Sequence, residues 1–168
     1  GSAAVQIAAY LGASVTGVCS TGNLESVQAL GAGELIDYSR ESFVEASLAR
    51  GKRYDVIFDV AGKSSFGRCA PILQPEGTYL ATIPGPAVLL RMLTSRLFGG
   101  RRALFAATGL RAPAKKAADL EYLREIAEEG RFRPRIDRSF PLEQIAEAHR
   151  HVESGRKNGT VVITVDPA

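Results

Sequence analysis

The chain has 168 residues, 45% of them hydrophobic and 23% charged, with a net charge of +3. That describes about one normally packed domain. It excludes a membrane span, since no stretch approaches roughly 18 apolar residues, and it excludes a nucleic-acid surface, since Lys and Arg are scattered among acids. The one basic cluster, Arg96 to Arg102, encloses Leu97-Phe98-Gly99-Gly100 and reads as a solvated loop. Cys19 and Cys69 lie far apart without metal-ligand spacing. They fit small core residues or free thiols in a reducing compartment, here taken as the cytoplasm. No signal peptide is visible.

In chain order, Gly1 to Gly12 reads as a helix, with Val5, Ile7, Ala8 and Leu11 at helical spacing and small residues in its first turn. Val15 to Cys19 follows as a short β-branched strand of the kind buried on both faces of a parallel sheet. Helix and strand form the second half of a βαβ unit, whose first strand and glycine-rich turn are expected before Gly1. Asn23 is placed to cap a helix over Leu24 to Leu30, which Gly31 ends. Leu35 to Tyr38 is the next strand and Ser39 to Arg50 a polar helix. Tyr54 to Val60 is another buried strand, Ser65 to Leu73 a short helix, and Gly77 to Thr82 a strand closed by Ile83-Pro84-Gly85-Pro86. Residues 87 to 102 read as a mobile helix or loop. Ala103 to Ala107 is a strand and Ala114 to Glu129 a long amphipathic helix. This alternation predicts an α/β, Rossmann-like, doubly wound parallel sheet over residues 1–133. From Pro134 the pattern changes: an extended stretch to Pro141, a helix over Leu142 to Ser154, a turn at Asn158-Gly159 and a strand over Thr160 to Val165. This tail, 134–168, is expected to pack on a different sheet.

Ligands of an open parallel sheet bind beyond the carboxyl ends of its strands. Those ends are Cys19-Ser20-Thr21, Asp37-Tyr38, Asp59 to Gly62 and Thr82-Ile83-Pro84, rich in small and hydroxyl residues and poor in acid–base groups. They suit a long polar cofactor rather than hydrolysis. A fold that prefers NAD places a carboxylate about 20 residues after its glycines. Here that position falls at Cys19 or Ser20, followed by Thr21, Gly22 and Asn23, with no acid. Hydroxyls and an amide stand ready to donate to a 2′-phosphate, which favours NADPH over NADH. His149 and His151 are two apart on the late helix and face different ways, which suits structural or surface roles. Asp59 is placed to order a loop, and Tyr38 to stack on or hydrogen-bond to an adenosine. No metal site is expected.

The chain resembles the nucleotide-binding half of the medium-chain dehydrogenase/reductase superfamily, and within it the zinc-independent quinone oxidoreductase, or zeta-crystallin-like, branch. The residues that carry this are Gly1 to Ala8, Leu11-Gly12-Ala13, Val15 to Thr21, Ala29 to Ala32, Ile36-Asp37-Tyr38, Tyr54 to Asp59, Pro141 to His149 and Gly155 to Val162. The resemblance implies a subunit whose catalytic domain comes first, to which the tail from Pro134 returns. It implies Gly1 and Ser2 near a pyrophosphate, Ser20, Thr21 and Asn23 at the 2′-phosphate, and Tyr38 at the adenosine end. It places Val60, Ala61, Gly62, Thr82 and Ile83 beside the ribose and nicotinamide. Relatives often hold a basic residue just after the Ser-Thr pair, where this chain has Gly22.

The implied reaction is hydride transfer from NADPH to a quinone or another conjugated enone or carbonyl. A zinc alcohol dehydrogenase relative is the same-class alternative. A non-catalytic NADP-binding sensor or assembly module is the alternative of another class, and a Rossmann-like fold that has lost nucleotide binding is the blandest. A homodimer joined through Ala103 to Ala107 is expected from an apolar edge strand.

Overall fold

The computed structural model describes residues 1–83, 85–98, 100–106, 110–155, 157 and 159–165, with backbone alone at 86, 87 and 95–98. The first helix, α1 (Ser2–Tyr10), leads into β1 (Thr16–Cys19), α2 (Leu24–Ala29) and β2 (Glu34–Asp37). Then come α3 (Phe43–Ala49), β3 (Tyr54–Asp59), α4 (Phe66–Cys69), β4 (Leu73–Ala81), α5 (Pro86–Phe98) and β5 (Arg102–Phe105). The chain continues through α6 (Pro113–Glu128), β6 (Ile136–Pro141), α7 (Ile145–Glu153) and β7 (Thr160–Thr164). Every ladder is parallel, as the helix after each strand requires.

The strands form three sheets, ordered β1-β2, β3-β4-β5 and β6-β7. The first two sheets hold the five strands of the first unit, all parallel, in the α/β arrangement expected. Among the described residues, β1 and β3 share no ladder and each has one strand neighbour. This corrects the expectation that both are buried on two faces: Val18 is 44% exposed, Val56 58% and Phe58 41%. Val56 and Phe58 share the uncovered face of β3, while Ile57 on the opposite face packs against the core. The tail does form a sheet of its own, β6 with β7.

The largest buried cluster joins Cys69, Leu73, Tyr79, Ala81, Val88 and Ala103, with Phe43, Ile57, Phe66 and Met92 packed against it. Full burial of a side chain such as Leu73 stabilises by about 1.5–3 kcal/mol. The core thus sits between β4, α4 and α5, and it fixes the ends of β3 and β4. Lys52 pairs with Glu34, and Arg53 donates to the Pro71 carbonyl at 2.9 Å, so the turn after α3 touches both β2 and the segment before β4.

Several boundaries differ from the sequence reading. The helix before β4 is only one turn, and β4 begins at Leu73 rather than Gly77. Its register with β3 jumps from Tyr54↔Leu73 to Val56↔Thr78, so Pro75, Glu76 and Gly77 lie in a bulge and need no ladder partners. Asn23 gives α2 no side-chain cap; it ends a 3-10 turn, Thr21–Asn23, instead. Residues 86–98 are helical. The α6 helix buries Ile126 alone, while Leu120 is 67% exposed, so its apolar stripe is not covered. Only Ala148 is buried on α7; Ile145 and Val152 are exposed. The predicted strand end at Ala107, Pro84, and Asn158 of the predicted turn lie outside the described residues.

Gly31 shows why a turn residue can be dictated by packing. Its φ of +107° is closed to ordinary side chains, and a Cβ there would stand 2.8 Å from the Cβ of Ala9. The chain leaving α2 thus lies directly on α1.

Candidate functional site

The ends of β1 and β2 meet because Cys19 pairs with Asp37 in the ladder. Two residues beyond Cys19, the Thr21 hydroxyl donates to Oδ2 of Asp37. The Ser39 amide and hydroxyl donate to Oδ1 at 2.9 and 2.5 Å. Arg40 lies 3.6 Å from Oδ2 with its side chain 75% exposed. Asn23 donates from Nδ2 to the Ser20 hydroxyl at 3.0 Å. Tyr38 is 60% exposed, and its amide donates to the Cys19 carbonyl at 3.1 Å. The hydrogen bonds from Ser39 and Thr21 hold the Asp37 carboxyl below its ordinary range. Burial, with the nearby Asp37 charge, pushes the Cys19 thiol up.

This arrangement brings Ser20, Thr21, Asn23 and Tyr38 to one pair of strand ends, with the Thr21 and Asn23 donors already engaged within the group. The Thr21 hydroxyl donates to Asp37, and the Asn23 amide donates to the Ser20 hydroxyl. Sequence reasoning looked for a carboxylate at the end of the first strand and found none. Asp37 arrives from the second strand, carrying Ser39 and Arg40 with it. The only available signal was strand register, which residue spacing does not contain.

The ends of β3 and β4 form a second group. Asp59 accepts from the Gly62 amide at 2.8 Å, the Ser64 amide at 2.9 Å and the Tyr79 hydroxyl at 2.8 Å. It orders the loop after β3, as the sequence suggested. Burial raises the Asp59 carboxyl, but the bonds from Tyr79, Ser64 and Gly62 outweigh it and leave the group below its ordinary range. Burial, then the Asp59 bond, pushes the Tyr79 phenol up, so it stays a donor. Thr82 donates to the Val60 carbonyl at 3.0 Å and ties the two strand ends together. Gly62 has φ +65°, and a Cβ there would meet Cδ1 of Ile83 at 2.6 Å. Val60, Ala61, Gly62, Thr82 and Ile83 are thus one surface, with Val60 39% and Ile83 59% exposed.

Gly1 and Ser2 stand at the start of α1, where the Gly1 carbonyl accepts from the Val5 amide at 3.1 Å. Among the described residues no hydrogen bond links them to either group. His151 bonds Asp137 at 2.6 Å and joins α7 to β6, while His149 is exposed. Both cysteines are free, Cys69 buried and Cys19 partly so. Among the described residues no three His, Cys, Asp or Glu side chains could hold a metal together.

A polar group of hydroxyls, an amide and a guanidinium therefore stands at one pair of strand ends, and a small-residue, apolar surface at the other. Residues 30–163 match the family described as zinc-binding dehydrogenase. The chain belongs to that family. As a zinc-binding dehydrogenase domain of the medium-chain dehydrogenase/reductase superfamily, it is 29% identical over 163 residues to the chloroplastic quinone oxidoreductase QR1 of Triphysaria versicolor. That alignment takes in 97% of this chain and 48% of the relative. It is 34% identical over 180 residues to the mitochondrial NAD(P)H oxidoreductase RTN4IP1 of Mus musculus, covering 98% of this chain and 45% of that one. Among solved structures, the quinone oxidoreductase from Coxiella burnetii superposes with a TM-score of 0.76 at 25% identity, over 96% of this chain and 48% of the other. The chain spans about half the length of the curated relatives it matches.

Proposed function

We propose that this chain is the cofactor-binding portion of an NADPH-dependent oxidoreductase that reduces a quinone or another conjugated enone or carbonyl. The observation that carries the proposal is the pairing of two groups at parallel strand ends: hydroxyl-rich after β1 and β2, small and apolar after β3 and β4. Neither holds a nucleophile with its base, so nothing there competes with binding. The names of the relatives, quinone oxidoreductase and NAD(P)H oxidoreductase, point the same way.

In this reading Ser20, Thr21, Asn23 and Tyr38 hold the adenosine ribose, with Gly1 and Ser2 toward the pyrophosphate. Arg40 supplies the cation that Gly22 does not. Val60 to Gly62, with Thr82 and Ile83, wall the nicotinamide, which supplies the hydride when bound. The chain's own part is to bind, to orient and to exclude water; Asp59 keeps the wall in shape through the Gly62 and Ser64 amides. No helix among the described residues is long and apolar enough to cross a membrane. The free thiols suit the cytoplasm, although the relatives named above are chloroplastic or mitochondrial.

Calorimetric titration with NADPH and NADH tests the binding, and loss of NADPH absorbance with a quinone tests the reaction. Tighter binding of NADPH with quinone turnover is the expected result. Binding without turnover by the whole protein would instead support a non-catalytic NADP sensor or assembly module. Alcohol oxidation with bound zinc, detected by metal analysis, would support an alcohol dehydrogenase relative. The β5 strand lies at the end of its sheet with Leu104 45% exposed, which supports a homodimer through that edge. A dimeric mass by light scattering is the expected result; a monomer at high concentration rejects it.

A further inference from the structure

We infer that Asp37 is a specificity-determining residue of the proposed dinucleotide site, acting through Thr21, whose hydroxyl it fixes as an acceptor and so turns against a 2′-phosphate. This rests on the dinucleotide reading above and goes further, because it concerns the direction of one hydrogen bond rather than the kind of residue present.

A hydroxyl has one proton and two lone pairs. An ionised carboxylate only accepts, and bonds to it are roughly twice as strong as neutral ones. The Thr21 hydroxyl therefore donates to Asp37 Oδ2, and the Ser39 hydroxyl to Oδ1 at 2.5 Å. Thr21 and Ser39 oxygens stand 3.1 Å apart, yet each proton already has a charged partner. What exposed Thr21 offers a ligand is a lone pair. A ribose 2′-hydroxyl can donate to it. A 2′-phosphate carries acceptor oxygens and negative charge, and it meets both that lone pair and the Asp37 carboxylate beyond it.

Against this stand Arg40, 3.6 Å from the same carboxylate, and the hydroxyl of Ser20, which accepts from Asn23 and keeps its own proton. The preference for NADPH is thus a balance, and Asp37 is the weight on the NADH side. Replacing Asp37 by Asn removes the charge and puts an amide donor within reach of the Thr21 oxygen. The Thr21 proton is then released toward the ligand.

The test measures Kd for NADPH and NADH in the whole protein carrying D37N, T21V, T21S and D37N/T21V, with circular dichroism to confirm folding. D37N is expected to shift the ratio of affinities about tenfold toward NADPH, the size of one charge-assisted hydrogen bond. T21V is expected to weaken NADH more than NADPH, since only the 2′-hydroxyl loses a partner, and T21S is expected to restore the ratio. In the T21V background D37N should shift the ratio by less than about threefold. An unmoved ratio in D37N, or the same tenfold shift with and without the Thr21 hydroxyl, overturns the inference. Should D37N fail to fold, the comparison of T21V with T21S decides, because a larger loss of NADPH than of NADH binding in T21V overturns it. A protein that binds neither dinucleotide removes the functional reading and this inference together. Binding of both with an unmoved ratio removes the inference alone.

Discussion

Asp59 accepts three hydrogen bonds through one carboxylate, from Tyr79, Gly62 and Ser64. Its folded value lies below the ordinary carboxylate value of about 3.9. Its contribution is therefore complete above that ordinary value and is lost as pH falls through the lower folded one. A plot of Tm against pH should drop on this acid side, and Asp59→Asn should flatten the drop. The same substitution turns one acceptor into a donor facing donors, which costs about 1–3 kcal/mol and lowers Tm at neutral pH as well. A flat acid limb in the unaltered protein would show that the carboxylate carries no linkage. His151, paired with Asp137 at 2.6 Å and half-buried, makes a smaller contribution. His151→Ala should cost about 1 kcal/mol, seen as a fall in Tm of roughly 2–4 °C.

At the level of elements, much could be read before any coordinates. Thr16 to Cys19 and Tyr54 to Asp59 announce themselves by β-branched and aromatic runs, and the positive-φ glycines at 12 and 31 mark real ends. The resemblance put the ends of β3 and β4 beside one part of a cofactor; in the fold those ends are joined by Thr82 and by Gly62 against Ile83. What could not be read depends on partners. The strand expected from Gly77 begins at Leu73, and Pro75-Glu76-Gly77 lie in a bulge within β4, because β3 sets the register there. Val56 and Phe58 look like core, yet they share one face of β3 and both are exposed, while Ile57 on the other face packs against the core. Thr21 looks like a donor to a ligand, yet its hydroxyl already donates to Asp37. Gly31 gives a test at this scale. Gly31→Ala combines an unfavourable φ with a 2.8 Å approach to Ala9. It should destabilise by about 1–3 kcal/mol, measured by urea unfolding. A change under about half a kcal/mol would mean that α1 can move away at no cost.

Over the whole molecule, the division between β1-β2 and β3-β4-β5 predicts two levels of protection rather than one. Each sheet holds fully buried side chains, Leu73, Tyr79 and Ala103 in the second and Ile36 in the first, all at most 1% exposed, but the second is held by two ladders and the first by one of four pairs. Amide hydrogen exchange should therefore release β1 and β2 before β3, β4 and β5. Uniform protection across all five strands would contradict this. The Gln6 side chain supplies a different kind of link: it donates to the Arg133 carbonyl at 3.0 Å and accepts from the Arg133 amide at 2.9 Å. These two bonds close a ring of 127 residues with a single amide. Closing so long a ring costs entropy that only a nearly finished structure has already met. The clasp therefore belongs to the last stage of folding and the first of unfolding. In a chevron measurement Gln6→Ala should leave the refolding arm in place and raise the unfolding arm, so that one surface glutamine governs how long the fold lasts rather than how fast it forms.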